Sequence, residues 1–256
     1  MQGWIETVLG CALVMVTAVG LSAQPVQVQN QFIRLKVDGA RIAALSVDPA
    51  GSERFSRRSF VKSLKPEFWE ESPETKVQVN GASVTISGLS VWDNCRIAVD
   101  SGTDEPVRLE PGHTLSQTFT VPPDVQFDSA SVKLPTWQSK TSSVTLSLYR
   151  GSNLLARKRV KNVKDNGWQP IEPPSPCGEG DYEIRLSEPS GDVGWWSAKA
   201  DSYENGKAME DGRAVEGDRA FSLAARRSVG KGTLTYKVDG PKLSARAEAK
   251  VKQDVQ

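Results

Sequence analysis

With 256 residues, a formal net charge of +1, 38% hydrophobic and 25% charged side chains, the chain has the mix of an ordinary soluble globular protein. Its near-neutral charge provides no field to draw nucleic acid or an anionic membrane, and no RNP, zinc-finger or helix-turn-helix pattern is present. The length suits one large β domain or two smaller ones.

The chain opens on an apolar run, Val8 to Ala23. A membrane span needs about 20 apolar residues, so this run is short for one. Its length and the Ala23-Gln24 junction fit a secretory signal peptide over residues 1–23. Glu6 and the lack of Lys or Arg make the leading segment unusual, and an uncleaved anchor is the alternative. Export would place the mature chain in a secreted, periplasmic or cell-surface setting. Loss of Cys11 with the signal leaves Cys95 and Cys177. Such an even pair suits one disulfide in an oxidising compartment; the other reading is two buried thiols. No CxxC or Cys/His cluster exists, which excludes structural zinc.

Strand patterns follow one another. Ile33, Leu35 and Val37 alternate with Arg34 and Lys36; Val144, Leu146 and Leu148 with Thr145 and Ser147; Tyr182, Ile184 and Leu186 with Glu183 and Arg185; Leu234, Tyr236 and Val238 with Thr235 and Lys237. A period of two marks half-buried strands. Turn residues separate them at Asp38-Gly39, Asn80-Gly81, Glu110-Pro-Gly112, Gly151-Ser-Asn153 and Asp165-Asn-Gly167. Asn80-Gly81 is the clearest hairpin signal. Ser59 to Trp69 reads as a short helix or an irregular loop, and Glu67, Glu70, Glu71 and Glu74 as a solvated face. Pro170 to Pro176 is too proline-rich for a central strand and belongs at an edge or in a loop. Many short strands without a helical period indicate an all-β antiparallel sandwich or barrel.

A boundary is expected near Trp92 to Thr103. It separates an N-terminal β region (24–95) from a longer block (96–225), with C-terminal strands or a linker over 226–256. That tail carries eight Lys/Arg against three Asp/Glu. It reads as a solvated strand pair, with an anion-binding patch as the alternative.

The longer block resembles a carbohydrate-binding-type jelly-roll module appended to secreted bacterial glycoside hydrolases. The likeness lies in Gly112-His-Thr-Leu-Ser-Gln-Thr-Phe-Thr-Val-Pro122, Leu134-Pro-Thr-Trp137, Val144 to Arg150 and Asp165-Asn-Gly-Trp168. It continues in Asp181 to Leu186, Gly194-Trp-Trp-Ser197 and Gly217-Asp-Arg-Ala-Phe221. It covers about half of the chain. The resemblance implies an antiparallel jelly-roll β-sandwich beside a smaller accessory β region, and a non-catalytic sugar binder or a spacer. A structural calcium is common in such modules, but no Asp-x-Asp-x-Asp-Gly loop places one here.

The candidate site is Gly191-Asp-Val-Gly-Trp-Trp-Ser197 with the two loops that follow. Adjacent strand residues face opposite sides, so one of Trp195 and Trp196 should enter the core while the other offers a flat apolar face to a sugar ring. Asp201, Tyr203 and Asn205 are expected to supply hydrogen bonds to sugar hydroxyls, with Asp218 and Arg219 beside them. Each has a plainer reading: core indoles, turn residues and a weak surface pair. Trp137 and Trp168 are read as edge-of-core packing. His113, the sole histidine, has no Gly-x-Ser-x-Gly or other nucleophile motif around it, and carboxylate pairs are too numerous to be informative. The chain is therefore expected to be no enzyme and to have a glycan as its partner. The alternatives are a structural or assembly module that self-associates by strand addition, and the N-terminal fragment of a glycoside hydrolase.

Overall fold

The computed structural model describes residues 25–251 except 56–58, 60, 62, 63, 65, 66, 101, 102 and 104. The expected signal peptide lies outside the described residues, as does part of the Ser59 to Trp69 segment. Among the described residues there is no helix, and the strands are joined in antiparallel pairs. The described residues divide into two compact units, one of residues up to 91 with 229–251 and one within 92–228.

The strands of the first unit begin with β1 (Val26–Gln29), β2 (Ile33–Asp38), β3 (Arg41–Val47), β4 (Trp69–Glu70) and β5 (Lys76–Asn80). β6 (Ser83–Val99) starts in this unit and continues into the second. β1, β2 and β3 form one meander. β5 and β6 form the hairpin that Asn80-Gly81 signals: Asn80 pairs with Ser83, and Gly81 takes the left-handed φ of 57° that such a turn demands. The alternation seen in the sequence is realised as burial. Ile33, Leu35, Val37, Val84 and Ile86 turn inward to one core, and their polar neighbours turn out. The expected acidic face is partly engaged: Glu71 accepts the Ala40 amide at 3.1 Å, and Glu74 pairs with Lys231.

The second unit holds β7 (Glu105–Arg108), β8 (Leu115–Val121), β9 (Val125–Leu134), β10 (Ser143–Arg150), β11 (Asn153–Lys161), β12 (Gly167–Ile171) and β13 (Gly180–Ser190). β14 (Gly194–Ala198), β15 (Ala208–Glu210), β16 (Arg213–Ala214) and β17 (Asp218–Arg219) follow. β18 (Phe221–Asp239) begins here and ends in the first unit, where β19 (Lys242–Val251) pairs with it. One sheet of this unit runs β11-β10-β13-β8-β15-β16; β12, β9 and β18 make a second; β17-β14-β7 make a third. Phe119, Phe127, Leu146, Leu148, Ile184, Leu186, Trp195 and Phe221 come from all of these sheets and fill one core. Phe119 stacks on Tyr182 and Phe221 with ring centroids 5.5 and 5.4 Å apart, a spacing that adds to the area these rings bury. Pro170 sits on β12, the outermost strand of its sheet, where a missing N–H is tolerated.

The Cys95–Cys177 disulfide is not formed: both are free thiols, Cys177 buried and Cys95 half-buried. The topology explains it. Cys177 lies opposite Phe127 on one edge of β9, whereas Cys95 belongs to β6, with β18 standing between β9 and β6. Three strand spacings come to about 14 Å, and a disulfide needs Cα atoms within about 7 Å. Burial raises the pKa of both thiols above the ordinary value.

Candidate functional site

β14 puts its two indoles to different uses. Trp195 is 0% exposed and donates from Nε1 to the Ala220 carbonyl at 2.7 Å, so its ring is closed to any ligand. Trp196 is half-buried and faces the other way. Its Nε1 donates to Asn166 Oδ1 at 2.9 Å, which orients the ring, and the ring packs partly against the core.

The surface around Trp196 is built by pairing. Gly194 lies two residues before Trp196, hence on the same face. β7 pairs alongside with Pro106 opposite Trp196 and Arg108 opposite Gly194. A Cβ at Gly194 would meet Trp137 Cη2 at 2.9 Å, so the Trp137 ring lies over this glycine. Arg108 stands over that ring, 4.5 Å from its centroid, and pairs with Asp192. On the other side, Lys133 of β9 sits 5.6 Å from the Trp196 ring and lies directly opposite Trp168 of β12. Opposed residues of an antiparallel pair share a face. Trp137 and Trp168 are each 39% exposed. Trp137, Trp196 and Trp168 therefore form one outward aromatic surface, with Arg108 and Lys133 set among them.

Two turns hold the ends of this surface. Trp137 and Gln138 both have positive φ, 47° and 69°, and the Ser139 amide bonds back to the Thr136 carbonyl at 2.9 Å. This is a type I′ arrangement, normally made by Asn and Gly. A bulky residue there costs about 1–2 kcal/mol, and the turn leaves Trp137 at the surface. Asp165 ties the two turns together: its Oδ1 accepts the Thr136 amide at 2.6 Å, and its Oδ2 accepts from Asn166 Nδ2 at 3.2 Å.

The other residues expected beside Trp196 are held elsewhere. Asp218 is fully buried. It accepts from Gln117 Nε2 at 2.9 Å and from the backbone amides of Ser202 and Tyr203 at 2.7 and 2.8 Å. It is an anchor for the 199–206 loop, closed to ligand. Tyr203 packs edge-on against Phe221, and its hydroxyl donates to the Thr120 carbonyl at 3.0 Å. Arg219 is 1% exposed, reaching Ser197 Oγ at 2.8 Å and Glu210 Oε1 at 2.7 Å. Its Nε has no partner among the described residues. Burial pulls its pKa down, against the raising effect of Glu210. The surface pair imagined for Asp218 and Arg219 is thus replaced by buried hydrogen bonds in which the two side chains have different partners, while Gln117 bonds both Asp218 Oδ1 and the Arg219 amide. Arg219 lines a polar cavity of about 320 Å³ with Glu105, Ser197 and Glu210, on the Ser197 face of β14 rather than the Trp196 face. Asp201 is exposed and borders a neighbouring hollow with Lys207 and Glu216. Asn205 is exposed at a turn.

Trp137, Trp168, Lys133 and Asn166 are the members that sequence reading missed. Their signal was weak but present: both tryptophans sit beside turn residues, Pro-Thr and Asn-Gly. No group of three or more His, Cys, Asp or Glu among the described residues is arranged to hold a metal ion. No protein-family model and no curated protein matches the chain.

Proposed function

We propose that the 92–228 unit is a non-catalytic carbohydrate-binding module of an exported protein, with a jelly-roll sandwich as its frame. The observation that carries this is the Trp137–Trp196–Trp168 surface. Trp137 and Trp168 are exposed, Trp196 beside them is partly buried against the core and oriented by Asn166, and the three rings offer flat apolar area to sugar rings. Asn166, Lys133 and Arg108 stand beside them as polar partners for hydroxyl groups. Non-consecutive neighbours such as β8 with β13 and β9 with β18 support the jelly-roll topology. A shallow surface of this kind suits affinities nearer micromolar to millimolar than nanomolar.

A glycan array, followed by titration of the best ligand against Trp196→Ala and Trp137→Ala, tests the reading. Retention lost in these variants with an unchanged circular dichroism spectrum is expected. No retention of any glycan, or retention indifferent to both substitutions, ends the proposal.

A second reading rests on β19. Nearly all of its residues are exposed, and among the described residues its hydrogen-bonded partner is β18 alone. An open edge of ten residues is a template for strand addition. Concentration-dependent association on size exclusion, abolished by Ala247→Pro, would favour an assembly module; a strict monomer at high concentration would remove it.

A further inference from the structure

We infer that the aromatic surface takes an anionic glycan, a chain of sugar rings bearing carboxylate or sulfate groups, and that Lys133 is the residue that receives the charge. This deepens the sugar-binding reading and rests on it. The key is the place of Lys133 between two indoles, opposite Trp168 in the β9–β12 ladder and 5.6 Å from the Trp196 ring. Its ammonium stands over the Trp196 ring, a cation–π placement. Among the described residues no carboxylate pairs with it.

The other charges nearby are already engaged. Arg108, over Trp137, is paired with Asp192. Asp165 is taken up between the two turns by Thr136 of one and Asn166 of the other. Lys158 adds a second cation: its Nζ donates to the carbonyl of Pro170, two residues along β12 from Trp168. Lys133 is thus left with an aromatic face and, among the described residues, no carboxylate to pair its charge. A neutral sugar would stack on the indoles and leave it so. A ring carrying an anionic substituent would stack and also complete the pair.

The experiment is affinity electrophoresis of the full chain through gels containing four polymers: polygalacturonate, its carboxyl-reduced counterpart, dextran and dextran sulfate. The first pair isolates carboxylate and the second isolates sulfate. Lys133→Met keeps the stem and removes the charge, and Lys242→Met on β19 serves as a control for general attraction. The expected result is retardation by at least one charged polymer over its neutral partner. Lys133→Met should weaken it about three- to fivefold, the size of a partly exposed ion pair, and added salt should weaken it too. Trp196→Ala should abolish it, and Lys242→Met should leave it unchanged. Equal retention of charged and neutral partners, lost in Trp196→Ala but indifferent to Lys133→Met, overturns the anionic assignment and leaves the sugar-binding reading standing. Retention of none of the four, with a glycan array also blank, overturns both.

Discussion

Trp196 and Asn166 lie thirty residues apart and are joined by one hydrogen bond, indole Nε1 to amide Oδ1 at 2.9 Å. Asn166 itself has a positive φ of 57°, a conformation that Asn tolerates and Gly prefers. Asn166→Gly therefore removes the side-chain bond without adding backbone strain. The ring should lose its fixed orientation. Glycan affinity should drop about two- to tenfold, the range of a single net hydrogen bond, with the melting temperature nearly unchanged. Affinity equal to that of the parent, measured by calorimetry, would show that the bond does not orient the ring for binding.

Gly194 is a packing requirement of the same surface. A Cβ there would stand 2.2 Å from the Val107 carbonyl oxygen, a backbone atom of the paired strand, as well as 2.9 Å from Trp137. Side chains can rotate away, but a ladder carbonyl cannot without breaking its pairing. Gly194→Ala should cost about 1–3 kcal/mol, the usual cost of overpacking. The urea midpoint would fall and Trp137 would be displaced. An unshifted midpoint would mean that β7 and β14 separate more easily than their register suggests.

The strand alternation was legible in the sequence because a buried face imposes a period of two on every strand that borders it. Leu35, Leu146, Ile184 and Tyr236 all lie inward, as the pattern required. The alternation also separated Trp195 from Trp196. What it cannot convey is which strands lie side by side. Lys133, Trp168 and Trp196 meet because β12 and β14 both approach β9, and those neighbourhoods are set by long-range pairing rather than by any local pattern. The same limit misplaced Asp218 and Arg219. Read as an Asp-Arg dipeptide at a strand end they look like surface charges, yet Gln117, a hundred residues earlier, meets both of them.

Those two neighbours should respond differently to removal. Asp218→Ala leaves Gln117 and the amides of Ser202 and Tyr203 without their acceptor. Buried donors left unpaired cost about 1–3 kcal/mol each unless water reaches them. A loss of about 2–4 kcal/mol is expected, with faster proteolysis within 199–206. Arg219→Met instead replaces a buried guanidinium by an apolar chain of similar length. Its carboxylate partner, Glu210, is 45% exposed and can return to water, so the change should stay within about 1 kcal/mol. Equal losses in the two variants would contradict the different partners of the two side chains.

The absence of a bridge between Cys95 and Cys177 makes stability independent of redox conditions. Melting curves with and without dithiothreitol should superimpose. Burial, which raises both thiol pKa values, lowers the thiolate fraction at neutral pH. Ellman's reagent should therefore react slowly with the native chain and rapidly after denaturation. A melting temperature that falls on reduction would require the two cysteines to be linked.

His113 and Asp211 form an exposed pair, Nδ1 to Oδ2 at 2.6 Å, between the start of β8 and the turn joining β15 to β16. The hydrogen bond to Asp211, reinforced by its charge, raises the His113 pKa above 6.5. The same bond and the Thr114 amide lower that of Asp211 below 3.8. Stability from a histidine with a raised folded pKa is complete below its unfolded pKa and is lost as pH rises through the folded one. For an aspartate with a lowered folded pKa it is present above the unfolded value and disappears as pH falls through the folded one. The pair thus contributes most between roughly pH 4 and 6.5, the two unfolded values, and fades as pH rises through the raised pKa of His113. His113→Gln should melt below the parent at pH 5.5 and converge with it at pH 8, with the gap at pH 5.5 narrowing in high salt because both groups face solvent. A gap that is constant from pH 5.5 to 8 would mean that the imidazole acts through packing and not through its charge.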